Sequence, residues 1–293
     1  YLALGTDRKL YIYQGGALSD ITPLRQTESL TNPFTTNGTT TVSVNDAAHG
    51  AAVGDFVTFD SFSTIDGLDM NQEFEITSVT DASNYTVTHT STASGSTSGG
   101  GGSGNAKYQI TTGPSTSTFG YGWGTLTWGE STWDTARSSS DVVVSARNWS
   151  LDNFGEDLIA TVLNGGTFIW DTSGGVGSRA TALSNAPTAS RFSLVSTDTR
   201  HLLIFGTETT IGDTTTQDDL LLRFSDREDA TDYTPVSTNE AGSLRISDGS
   251  RIIGAVKSAG QVLVWTDTSL HGLQFVGTPF TFGLRQLGAN AGL

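Results

Sequence analysis

Apolar and polar positions along this chain alternate in short runs of four to six residues, and the runs are punctuated by Gly, Asn and Asp. Alternation with a period of two is the signature of a strand with one buried face. The stretch KLYIYQGGALSDITP (9–23) predicts a strand, a turn at Gly15-Gly16 and a second strand. DLIATVLNGGTFIWDT (157–172) repeats that grammar, with a strand over Leu158 to Leu163, a turn at Asn164-Gly165-Gly166 and a strand over Thr167 to Trp170. RIIGAVKSAGQVLVWTDTSLHGLQFVG (251–277) does so again, turning at Ser258-Ala259-Gly260 and at Asp267 to Ser269. Asn-Gly and Gly-Gly pairs supply the positive φ that tight hairpins need. No window carries a 3.6-residue period, so the expected fold class is all-β with less than about a tenth helix, against the usual third.

The three stretches share a template. An apolar strand leads to a Gly turn, and the second strand ends in an aromatic followed by a polar residue: Tyr13-Gln14, Trp170-Asp171 and Trp265-Thr266-Asp267. Meanders repeated in this way are how β-propeller blades look in sequence, and a sandwich built of hairpins is the alternative. Residues 27–105 interrupt the template with an alternation of their own, in TVSV, DFVTF, FEITSV and YTVTHT. These predict four strands of a small inserted β-barrel or sandwich, with a core from Val53, Phe56, Val57, Phe59, Phe74, Ile76, Val79, Tyr85 and Val87. The segment STASGSTSGGGGSGNA (91–106) has the composition of flexible coil and is expected to act as a Gly/Ser hinge. The expected organisation is therefore a discontinuous propeller-like domain over 1–26 and 106–293, with an inserted domain over 27–105.

Charge narrows the partners. The chain of 293 residues carries 30 acidic against 15 basic side chains, a formal charge of −15, and such a field disfavours nucleic acid and anionic membrane. No apolar run approaches the ~20 residues of a spanning helix. With no cysteine, disulfides and thiolate metal sites are excluded. The sequence starts at Tyr1 inside a strand pattern and stops at GANAGL, which reads as an ordered piece of a longer polypeptide.

Polar residues cluster at a few places that could carry chemistry. LLRFSDREDATDYTP (221–235) holds four acids, Asp226, Glu228, Asp229 and Asp232. A calcium loop of the EF-hand kind needs oxygen ligands at positions 1, 3 and 5, with Gly at 6. Counted from Asp226, Ala230 and Thr231 occupy the last two places, so the spacing fails. Short Asp and Ser side chains also accept backbone N–H groups, and the segment is expected to be an inter-strand turn ended by Pro235. Trp123, Trp128 and Trp133 recur every five residues; on an extended strand odd spacing alternates faces, so packing between blades is expected rather than a sugar platform. His49, His89, His201 and His271 lack the spacings that bind zinc. No G-x-S-x-G elbow occurs, and SGGGGSG lacks the Lys and following helix of a phosphate loop. The expectation is no catalytic residue, no metal, no cofactor and no enzymatic activity.

Several phrases resemble virion proteins of tailed bacteriophages: GTDRKLYIYQGGALSDITP (5–23), GWGTLTWGESTWDTARS (122–138), NFGEDLIATVLNGGTFIWD (153–171) and the long run 221–277. AAHGAAVGDFVTFDSF (47–62) and FEITSVTDASNYTVT (74–88) are similar to a small β module of phage structural proteins. The resemblance covers about two thirds of the chain. It implies a tail component in the virion, of the nozzle type in which propeller domains form a ring, sixfold in that family, bound to copies of itself and to neighbouring tail proteins, with the polypeptide continuing past GANAGL. It implies no catalytic residues. A host-surface or glycan-binding module is the alternative, and a glycoside hydrolase would need two carboxylates roughly 5 to 10 Å apart in a cleft.

Overall fold

Gly15 and Gly16, at φ 62° and 86°, close the hairpin between β2 (Leu10–Gln14) and β3 (Ala17–Asp20), to which β1 (Leu2–Gly5) adds a third antiparallel strand. The computed structural model describes residues 1–113, 117–119 and 143–292. Two compact units are formed, residues 1–21 with 112–293 and residues 22–111. Among the described residues helix is confined to the short 3₁₀ turns Thr172–Gly174 and Thr214–Thr216, and every strand pairing is antiparallel. The fold is all-β.

In the larger unit β12 (Thr118–Phe119) pairs with β13 (Val143–Val144), and three four-stranded meanders then follow in chain order. One comprises β14 (Trp149–Phe154), β15 (Asp157–Val162), β16 (Thr167–Trp170) and β17 (Thr181–Ala182). The next comprises β18 (Phe192–Val195), β19 (Leu202–Phe205), β20 (Leu221–Phe224) and β21 (Gly242–Arg245). The last comprises β22 (Ile252–Ser258), β23 (Gln261–Thr266), β24 (Ser269–Gly277) and β25 (Thr281–Ala289). With β1–β3 as the first blade, these are β-propeller-like blades two, three and four. The hairpins expected at 164–166, 258–260 and 267–269 all lie between paired strands.

The blades pack face on face. Ile159 and Ile169 of the second meet Val195, Leu202 and Ile204 of the third. Leu203, Phe205 and Leu222 on the opposite face of the third meet Val262, Val264 and Leu273 of the fourth. Trp170 of the second blade is edge-on to Tyr1 beside the first, with centroids 5.2 Å apart, and a Cβ on Gly5 would stand 2.9 Å from Trp149. Burying such apolar faces is worth ~25 cal/mol per Å², so blade stacking stabilises in proportion to the apolar area it covers.

The smaller unit is one eight-stranded sheet in the order β10-β5-β6-β9-β8-β7-β11-β4. Its strands are β4 (Leu24–Thr31), β5 (Phe34–Thr35), β6 (Thr41–Asn45), β7 (Phe56–Asp60), β8 (Glu73–Asp81), β9 (Asn84–Thr88), β10 (Ser98–Gly100) and β11 (Ser103–Gln109). Residues 74, 76, 85 and 87 point to one shared core with Val57 and Phe59, as alternation required. Val53 departs from expectation: it sits before β7 and is 65% exposed, while Phe56, one residue out of phase with Val57, is only half-buried. Core positions that the alternation did not supply are Phe34, Phe62, Leu68, Met70 and Tyr108. Inside it Tyr85 and Tyr108 meet hydroxyl to hydroxyl at 2.8 Å, and Tyr108 donates to Asp46 Oδ2 at 2.5 Å. Burial pushes both phenols well above their ordinary range.

The Gly/Ser stretch is not a coil hinge. Ser98–Gly100 pairs with β5, and Ser103–Gln109 pairs with both β4 and β7. The glycines serve close approach: a Cβ on Gly101 would lie 2.5 Å from the Phe34 ring, and one on Gly104 would lie 2.4 Å from the Asp60 carbonyl oxygen. The unit is also wider than 27–105, because β4 and β11 pair from Thr31–Ser103 back to Leu24–Gln109.

Candidate functional site

The acidic segment behind β20 is a chain of side-chain-capped turns. Asp226 Oδ1 accepts the N–H groups of Arg227 at 2.8 Å and Glu240 at 2.7 Å. Asp229 Oδ1 accepts from Thr231 N–H, and Asp232 Oδ1 from Thr234 N–H while its Oδ2 accepts from Asn239. Three of the four acids thus shape backbone. Glu228 differs: it adopts φ 58° and uses its N–H to reach the Arg200 carbonyl. Among the described residues no group of three His, Asp or Glu is arranged to hold a metal ion.

The four histidines are spread over separate places. His49 and His89 each accept a backbone N–H at Nδ1, from Ala51 and Ser91, which puts the proton on Nε2, facing the carbonyls of Asp81 and Asp69. His271 Nε2 lies 2.8 Å from Ser269 Oγ. His201, fully buried on the approach to β19, contacts Thr199 through Nδ1 and packs on Phe275 and Phe282. Its Nε2 is 3.4 Å from Glu240 Oε2, which is in turn 3.0 Å from Arg227 Nε. Burial holds the His201 imidazole below its ordinary range, against the opposing pull of Glu240.

Trp123, Trp128 and Trp133 lie outside the described residues. An open cleft of about 710 Å³ is lined by Tyr1, Gln14, Asn153, Glu156, Trp170 and Thr172. Tyr1 and Trp170 stand at 80° to each other, and Trp170 is 2% exposed, so the two rings form no coplanar platform of the kind that stacks on sugars.

The most distinctive surfaces are two sheet faces that sequence reading did not single out. In the first blade Leu2, Tyr13 and Leu18 form one cross-strand row, with Leu4 and Tyr11 in the row two residues along. Alternation turns this face away from Leu10 and Ile12, which are buried. Leu2 and Leu18 are each 55% exposed. In the fourth blade Val256 and Leu263 are cross-strand partners, as are Trp265 and Leu270, on the face opposite buried Val262 and Val264. Val256 is 56% exposed. A signal was present in each strand, since Leu4, Tyr11 and Tyr13 alternate with equally apolar neighbours. Runs apolar on both faces mark strands sandwiched on both sides.

No protein-family model matches the chain, and no curated protein matches it. Among solved structures it is similar to the phage phi92 endosialidase, at 15% identity and a TM-score of 0.28; the match covers 98% of this chain and 38% of that one. The chain thus spans well under half the length of that structure, and no residue or activity is carried over from it. Among the described residues no helix is long and apolar enough to cross a membrane.

Proposed function

We propose that this chain is a structural subunit of a tailed-bacteriophage virion, a tail component of the nozzle type that works in a ring through protein–protein contacts. The observation that carries the reading is, among the described residues, the exposed apolar face of the first blade, with Leu2, Leu4, Tyr13 and Leu18, and exposed Val256 beside half-buried Leu263, Trp265 and Leu270 on the fourth. Solvated sheets are normally polar on the outside, and contiguous apolar faces mark association surfaces. The resemblance of the 5–23, 153–171 and 221–277 stretches to phage virion proteins supplies the setting. The role is architectural: three of the four acids of 226–232, Asp226, Asp229 and Asp232, accept backbone N–H groups, and the histidines are held in separate structural contacts. Neighbouring tail proteins and copies of the chain are the partners, and the strongly acidic charge turns the surface away from nucleic acid.

The test is to label intact particles with a gold-tagged antibody raised against this chain and to image them. Label ringing the tail supports the reading. Label confined to the capsid, or none on intact and disrupted particles alike, overturns it.

A further inference from the structure

We infer that Asn37 is a self-modifying site, at which the main-chain nitrogen of Gly38 converts the asparagine to aspartyl and isoaspartyl forms without an enzyme. The Asn-Gly pair occurs twice in the chain, at 37–38 and at 164–165, each time between two strands. Glycine leaves the approach of its nitrogen to the preceding side chain unhindered, so the two pairs look alike in sequence. The fold separates them. Gly165 N–H donates to the Val162 carbonyl at 2.9 Å and Asn164 N–H to the Ser190 carbonyl at 2.7 Å, so that hairpin must open before its nitrogen is free. Gly38 sits at φ 76° in the exposed turn between β5 and β6, and among the described residues its N–H has no hydrogen-bond partner. A Cβ placed on it would meet only the Gly95 carbonyl oxygen, at 4.0 Å.

The side chain under attack is prepared as well. Thr39 Oγ1 donates to Asn37 Oδ1 at 2.6 Å, on the oxygen where negative charge gathers as the tetrahedral intermediate forms. Among the described residues nothing donates to Asn164 Oδ1. In the step itself the Gly38 nitrogen bonds to Asn37 Cγ and yields its proton to solvent. The Cγ–Nδ2 bond breaks, and ammonia leaves with a proton taken from solvent. Water then opens the cyclic imide at either carbonyl, so the net change is one water in and one ammonia out, with nothing oxidised or reduced. The product adds a negative charge to a chain already at −15. The isoaspartyl form also lengthens the main chain between two anchored points, Thr36, whose N–H donates to the Thr97 carbonyl, and Thr39, whose carbonyl accepts the Ala93 N–H.

The experiment incubates the full chain in mildly alkaline buffer, folded and in urea, then digests samples with pepsin at acid pH, where ring closure is slow. Mass spectrometry reads the gain of about 1 Da on the peptides holding Asn37 and Asn164. In the folded chain Asn37 is expected to convert at least about tenfold faster than Asn164, since each ~1.4 kcal/mol of hairpin opening slows attack tenfold. In urea the two are expected to convert at similar rates. Thr39→Val is expected to slow Asn37 severalfold in the folded chain only, and Thr39→Ser, which keeps the hydroxyl, to restore the rate. Asn37→Gln should remove the gain from its peptide, which fixes the position. Folded-chain Asn37 that converts no faster than Asn164, or that converts only in urea, overturns the proposal. Thr39→Val that converts as fast as the wild type, or faster, overturns it too.

Discussion

Lys257 on β22 holds its ammonium 2.6 Å from the carboxylate of Asp152 on β14, although the third blade stands between those two strands. Strands from blades two apart can touch only if the blades fan about a shared axis, with β14, β18 and β22 innermost. Asp152 is fixed from the middle blade as well, since its Oδ2 accepts the Val195 N–H at 2.7 Å. One carboxylate thus ties three blades.

The two partners should respond unequally to removal. Lys257 is more than a third exposed, so Lys257→Met should cost about 0.5 kcal/mol, the scale of a solvated ion pair. Asp152→Ala also strands the Val195 N–H beside a core strand and should cost about 1–3 kcal/mol. Urea unfolding followed by tryptophan fluorescence measures both; equal effects would mean that the bond to Val195 adds nothing.

The turn behind β20 gives a second contrast. Asp226→Ala removes the acceptor for two backbone N–H groups and should destabilise by about 1–3 kcal/mol. Glu228→Gly relieves a left-handed backbone while loosening the unfolded chain, and the two effects, each about 1 kcal/mol, should nearly cancel. Calcium should leave both melting temperatures unchanged. A calcium-dependent rise that Asp226→Ala abolishes would restore the metal-loop reading.

Most of the strand grammar was legible because Gly15-Gly16, Asn164-Gly165 and Gly260 mark tight hairpins between alternating runs. The third blade carries no such mark. Its β19 and β20 are joined by residues 206–220, which fold around buried Glu208, holding Thr188 Oγ1 and Gly212 N–H. The expected hinge failed for a different reason. Composition reports what a glycine permits, whereas Gly101 and Gly104 are placed by what Phe34, Phe62 and the Asp60 carbonyl require of their neighbours. That requirement is tertiary and leaves no local pattern. The open faces were hidden likewise, because alternation shows that a face is apolar but not what covers it.

Stability should fall on mild acidification. Burial depresses the folded-state pKa of both His201 and His271. The unfolded chain then takes up protons near pH 6.5 while the folded chain does not, so stability is present above that pH and declines below it. The groups around His201 are Glu240, Arg227 and Asp226, with the Phe275 and Phe282 rings. A second decline, below the ordinary carboxylate range, should follow as Asp218 and Asp267 lose their partners Arg245 and Ser250. Denaturation midpoints between pH 7.5 and 5.5 should therefore drop, by at most ~1.4 kcal/mol per pH unit for each histidine. His201→Gln should flatten the slope; an unchanged slope would assign the effect elsewhere.

The smaller unit should fold by itself when cut at 22 and 111, and fail when cut at 27 and 105. Its core draws on residues from Phe34 to Tyr108, and its first and last strands are neighbours, with the Ile110 N–H donating to the Pro23 carbonyl at 3.1 Å. The two ends of fragment 22–111 therefore leave side by side and hold each other. Trimming to 27–105 removes Leu24–Gln26 from one strand and Ala106–Gln109 from the other. That deletes Ala106 and Tyr108, both fully buried, and leaves Asp46 and the Tyr85 hydroxyl without their hydrogen-bond partner. Fragment 22–111 should give one cooperative thermal transition, and Tyr108→Phe within it should cost about 1–3 kcal/mol, because Asp46 is left buried without its donor. Tyr85→Phe should cost less, since Tyr108 keeps its bond to Asp46. The reciprocal deletion of 22–111, closed by a short Gly/Ser link, should leave the blades folded for the same reason that the fragment's ends meet. If 22–111 is molten and 27–105 is not, the pairing of β4 with β11 is not what completes the unit.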